Sequence, residues 1–187
     1  MAKIAKNIVL HGASGKIGDM LVVRQRGGST ILSQAPGERK GEPSEAQKAH
    51  QMRFQQAVLY ARMQIADETA KAEYAAKASG LSNAYNVAVA DFFNAPNIDE
   101  IDVRQYKGTV GDTIRVRVTD DFKVKQVNLA IYNADGSLVE TGDAVKQSNV
   151  VDWIYTASVA NESIAGDRIV IRASDKPGNI TEEERAL

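Results

Sequence analysis

The chain has 187 residues, 43% of them hydrophobic and 25% charged, with a formal net charge of -1. That length supports one compact domain or two small ones, no run approaches the roughly 18 apolar residues of a membrane span, and MAKIAKNIVLHGASG is too weakly apolar to predict a secretory leader. The absence of cysteine excludes disulfides, thiol catalysis and cysteine-based zinc sites, and the expected setting is the cytoplasm or a particle assembled there.

The near-zero charge conceals an asymmetry. Residues 1–43 carry 7 Lys/Arg against 3 Asp/Glu, residues 44–97 carry 5 against 5, and residues 98–187 carry 11 against 16, so the ends are +4 and -5. A basic head and an acidic tail attract between copies, although salt screens such charges beyond about 8–10 Å.

At the N-terminus, NIVLHGASGKIGDML places Gly12, Gly15 and Gly18 after an apolar run. The pattern resembles the first strand and phosphate loop of short-chain dehydrogenases, a resemblance that implies a dinucleotide at a helix N-terminus. The rest of the chain does not supply that family's needs. There is no series of βαβ units, and Tyr74 and Lys77 stand three apart where the family's catalytic Tyr and Lys stand four apart. An ATP-binding loop fails too, because Gly12 and Gly15 enclose two residues rather than four and Ile17 follows Lys16. The glycines read as a flexible approach to a β-hairpin.

MLVVRQR and STILSQA are β-rich runs joined by Gly27 and Gly28, a strong hairpin signal. A lone two-stranded hairpin is marginal in water, so this one is expected to pair with a neighbouring subunit. The residues assigned to that interface are Val22, Val23, Arg24, Arg26, Gly27, Gly28, Ile31 and Leu32. A nucleic-acid alternative rests on Arg24, Arg26, Arg39, Lys40, Lys3, Lys6 and Lys16, since a basic β-ribbon can follow phosphates. The cluster lacks interleaved aromatics and the sequence pI is only about 6.2.

After the turn-rich PGERKGEP, Ser44 and Gln47 form a capping-box pattern that opens a helix with Phe54, Val58, Ala61 and Ile65 on one apolar face. A second, Ala-rich helix is expected from Asp67 or Glu68 to Ala78, stopped by Gly80, and a third is expected over NAYNVAVADFF, capped by Ser82 and closed by Pro96. Its Tyr85, Val89 and Phe92 or Phe93 would supply a minimal core.

From Ile98 onward apolar and polar residues alternate in seven short runs separated by turn signals, which predicts a β-sandwich. VTDDFKVKQVNLAIYNADGSLVE, WIYTASV and IVIRASDKPGN, with Ala173, Asp175, Gly178 and Asn179 in the last hairpin, resemble bacterial immunoglobulin-like and fibronectin-like modules over residues 99–184. The likeness is to the broad class, because the chain has no cysteine pair and Trp153 falls on a later strand than the core Trp of antibody domains. The segments GASGKIG, VVRQRGGSTILSQAP and NVAVADFFNAP are similar to uncharacterised bacterial proteins, a similarity that implies no function.

The expectation is therefore an α+β chain in three parts: an N-terminal segment with a β-hairpin over 1–43, two or three helices over 44–97, and an immunoglobulin-like antiparallel sandwich over 98–187. Only His11 and His50 are present, which supports no acid–histidine–nucleophile grouping. Asp120, Asp121 and Asp175 suit Ca2+ in type, but turns explain them as well, so no metal, cofactor or small-molecule substrate is assigned. The function expected is that of a non-enzymatic structural protein forming a homo-oligomer, filament or virion-like or tail-like particle, without a membrane partner. Nucleic-acid binding is the alternative. An adhesion or carbohydrate-binding sandwich using Tyr132, Trp153 and Tyr155 is a further one.

Overall fold

A computed structural model describes residues 2–4, 10, 12–38 and 41–187. Lys6, His11, Arg39, Lys40 and most of NIVL lie outside the described residues. Two compact units are present, Met1–His50 and Gln51–Leu187. The fold class is α+β, and among the described residues no helix is long and apolar enough to cross a membrane.

The first unit holds a four-stranded antiparallel sheet. The expected hairpin is formed by β3 (Leu21–Arg26) and β4 (Ser29–Gln34), and Gly27 and Gly28 supply the positive φ of its turn, 56° and 72°. It is not alone, which corrects the expectation of an unaccompanied hairpin. β1 (Ala2–Ile4) pairs with β4 and β2 (Gly15–Ile17) pairs with β3, giving the order β1-β4-β3-β2 within one chain. Gln25 Nε2 donates to the Ala13 carbonyl at 2.7 Å and to Thr30 Oγ1 at 2.9 Å, fastening the Gly-rich loop to the sheet. That loop feeds a strand rather than a helix, so no phosphate-binding helix N-terminus follows it.

Helix α1 (Glu45–Ala66) starts at the predicted capping box: Gln47 N donates to Ser44 Oγ at 3.3 Å, and Ser44 N donates to Gln47 Oε1 at 3.0 Å. α2 (Glu68–Lys77) is capped by Asp67, which accepts from Ala70 N at 2.7 Å. α3 (Ala84–Phe93) is capped by Asn83 rather than Ser82, its amide oxygen accepting from Asn86 N at 2.9 Å. Of the expected face of α1, Ala61 is buried and Val58 and Ile65 are half-buried, whereas Phe54 is half exposed and Ala57 joins the buried line. Alanines allow close helix approach, and Ala61, Tyr74 and Ala88 form the helical core with Phe122, the residue between β6 and β7 that joins helices to sandwich.

The sandwich comprises β5 (Asn97–Asp102), β6 (Thr113–Thr119), β7 (Val124–Tyr132), β8 (Leu138–Asp143), β9 (Val145–Lys146), β10 (Asp152–Thr156), β11 (Arg168–Asp175) and β12 (Ile180–Ala186). Its sheets, ordered β5-β6-β10-β9 and β12-β11-β7-β8, match the A-B-E-D and G-F-C-C′ order of an immunoglobulin-type sandwich. Period-two alternation dictates the core: Ile114, Val116 and Val118 of β6 face inward with Val127, Leu129 and Ile131 of β7 and Ile169, Ile171 and Ala173 of β11.

Candidate functional sites

Strand alternation sorts the expected interface residues onto two faces. Val22, Arg24 and Arg26 share a face with Ile31, and Lys16 joins them because it is the cross-strand partner of Val22. Val23 and Leu32 lie on the other face. Val23 is 2% exposed and belongs to the core of its unit, Val22, Ile31 and Leu32 are half-buried, and Arg24, Arg26, Gly27 and Gly28 are exposed. The outcome is an inner face centred on buried Val23 and a mixed outer one, where Lys16, Arg24 and Arg26 accompany Val22 and Ile31. Lys16 is held by Asp19 at 2.7 Å.

The edge strand β2 is three residues long, and a very short edge is a common means by which sheets avoid pairing with other chains. A different surface emerges on α1. Met52, Leu59 and Met63 are 63%, 60% and 72% exposed. At 3.6 residues per turn they align in one stripe opposite Ala57 and Ala61, and the segment from Phe54 to Ala61 carries no charge. The expected apolar face of 54, 58, 61 and 65 hid this second stripe, because hydrophobic residues on both sides of a helix blur the periodicity of each.

The helix–sandwich junction carries a polar chain. Tyr60 and Tyr74 share a hydroxyl–hydroxyl hydrogen bond of 2.8 Å, and Tyr74 donates to Asp91 Oδ2 at 2.5 Å. Burial pushes the Asp91 carboxyl up to about 7 against the downward pull of the Tyr74 bond, with Asp120 and Asp175 adding repulsion. Burial likewise pushes Tyr60 up to about 12. Asp175 caps the β11–β12 turn by accepting from Gly178 N at 2.8 Å and Asn179 N at 2.7 Å, and Asp120 accepts from Lys123 N at 2.6 Å. Both therefore do what turn aspartates do. Glu73 bridges Lys123 and Lys176 at 3.3 and 2.9 Å, and these lysines hold its carboxyl below the usual range.

The aromatics of the sandwich are not laid out as a sugar platform. Trp153 and Tyr155 are 6% and 4% exposed. Lys146 Nζ covers the Trp153 ring at 5.6 Å, and the Arg168 guanidinium covers Tyr132 at 4.9 Å. His50 is exposed on α1.

No family model and no curated protein matches the chain. A solved structure described as an engineered protein is similar at 16% identity and a TM-score of 0.34, over 55% of this chain and 25% of that one. That overlap is below the similarity of a shared fold.

Proposed function

We propose that the chain is a non-enzymatic structural protein that assembles with copies of itself, on its own or within a larger filament or virion-like or tail-like particle. The observation that supports this is the Met52–Leu59–Met63 stripe, three large apolar side chains in water on a helix whose other side is already packed. The occupant is a second copy. An uncharged stripe is self-complementary about a two-fold axis, and the +4 head and -5 tail add attraction between copies. The interface moves from the hairpin strands, whose partners are in the chain, to the helix. Sedimentation of the intact chain over a concentration series tests this: mass rising above 20.2 kDa is expected, and a monomer at every concentration overturns it.

One observation favours a second reading, a nucleic-acid-binding protein. Lys16, Arg24 and Arg26 share the outer face of the N-terminal sheet, and such a face can follow a phosphate backbone. Under that reading an Arg24→Gln/Arg26→Gln variant loses duplex affinity and about two units of salt slope. Absence of binding by the parent chain at low salt removes it.

A further inference from the structure

The last turn of α3 and the turn between β6 and β7 bring three carboxylates together. Asp91, Asp120 and Asp121 each contribute an oxygen, and these oxygens all lie within 4.8 Å of one another. Asp91 is 1% exposed, and while its Oδ2 takes the Tyr74 hydrogen, its Oδ1 is buried with no hydrogen-bond partner. Asp120 repeats the pattern. Its Oδ2 accepts from Phe122 N and Lys123 N, and its Oδ1 is buried and without a partner.

Two bare carboxylate oxygens in one acidic cluster are electrostatically incomplete, because a buried charge needs a counter-charge or coordination. The nearby lysines do not supply one: Lys123 and Lys176 are both drawn to Glu73. Neutral donors do not complete the set either: Asn94 Nδ2 reaches Asp121 Oδ2 at 2.7 Å, but no donor reaches Asp91 Oδ1 or Asp120 Oδ1. A bound cation would complete them.

We propose that Asp91, Asp120 and Asp121 bind a Ca2+ ion, with Asp91 Oδ1 and Asp120 Oδ1 among its ligands. An all-oxygen, carboxylate-rich donor set suits a hard ion and disfavours zinc or copper, which prefer nitrogen and sulfur. Tolerance of irregular geometry favours calcium over magnesium. Calcium accepts irregular coordination by protein oxygens and water, whereas magnesium draws its ligands to about 2.1 Å and demands a stricter octahedron. Three carboxylates leave coordination places for water. Water has access through a cavity of about 260 Å³ lined by Asn94, Ala95, Asn97, Thr119, Asp120 and Asp121. The ion would tie the end of α3 to the β6–β7 turn and so fasten the helices to the sandwich.

Titration calorimetry of the chelator-stripped intact chain with CaCl2, together with thermal unfolding in Ca2+, Mg2+ and chelator, tests the site. Saturable one-site binding and a rise in Tm with Ca2+ that Mg2+ does not match are expected. Asp121 is exposed, so Asp121→Asn should keep the fold by circular dichroism while weakening Ca2+ binding by about tenfold or more. Asp120→Asn, which keeps an oxygen for the turn, should do the same. Glu162→Gln, an exposed carboxylate outside the cluster, should change nothing. No heat and no Tm shift at roughly 5 mM Ca2+, well above the dissociation constants of weak oxygen sites, overturns the proposal, as does binding that survives both aspartate substitutions intact.

Discussion

Tyr74 donates its hydroxyl hydrogen to Asp91 Oδ2 at 2.5 Å inside the packed helices, and neither residue is more than 1% exposed. Its ring also stacks on Phe122 of the sandwich with centroids 4.0 Å apart. One side chain thus joins the polar and apolar halves of the junction.

Tyr74→Phe keeps the ring contact and removes the hydroxyl, leaving Asp91 Oδ2 and the Tyr60 hydroxyl without their partner. A buried group left unpaired costs about 1–3 kcal/mol. Urea unfolding of the variant should show a loss of that size. A loss near zero would mean that water replaces the hydroxyl and that the junction is wetter than the burial of these groups implies.

Gly108 and Gly136 both have positive φ, 88° and 86°, yet their surroundings differ. A Cβ at Gly108 would meet the Asn161 carbonyl oxygen at 2.3 Å, whereas nothing lies within 4 Å of one at Gly136. Gly136→Ala should cost only the backbone strain, about 1–2 kcal/mol. Gly108→Ala adds a clash with backbone and should cost more than about 3 kcal/mol. Equal denaturation midpoints for the two variants would contradict the close approach of the two loops.

Acid should destabilise the fold through its paired aspartates. Arg117 and Asn149 hold the Asp152 carboxyl below the ordinary range, and Arg104 does so for Asp102. A carboxylate whose value is lower in the folded state than its unfolded value of about 3.9 stabilises the fold above that pH. The contribution disappears as pH falls through the folded value. Unfolding free energy should therefore decline below about pH 4, and Asp152→Asn should flatten that decline. A variant with the parent's full acid dependence would exclude Asp152 as a contributor.

Local signals in the sequence are legible where the chemistry is local. Ser44 and Gln47 cap α1 reciprocally, Asp67 caps α2, and Gly27–Gly28 turns the hairpin, because each device needs only a few adjacent residues. The α+β class follows from the change of period at Ile98. The strands that flank the hairpin are not legible, since three residues are too short for alternation to register and β2 sits inside GASGKIG, which reads as a flexible link. β9, of two residues, escapes for the same reason. Asp91 is hidden differently. Nothing in NAYNVAVADFF marks its aspartate as interior, and only the approach of Tyr74 from α2 makes it so. Asp120 and Asp121 read in the sequence as turn residues and as calcium candidates, but Asp175, grouped with them, is fully used by its own turn.

The most direct test of the assembly is light scattering on the intact chain beside a Leu59→Lys/Met63→Lys variant, both shown to be folded by circular dichroism. Both positions are exposed, so the fold should survive the change. The parent should scatter as a multiple of 20.2 kDa and the variant as a 20.2 kDa monomer. A parent that is monomeric, or a variant that assembles as the parent does, would contradict assembly through this helix face.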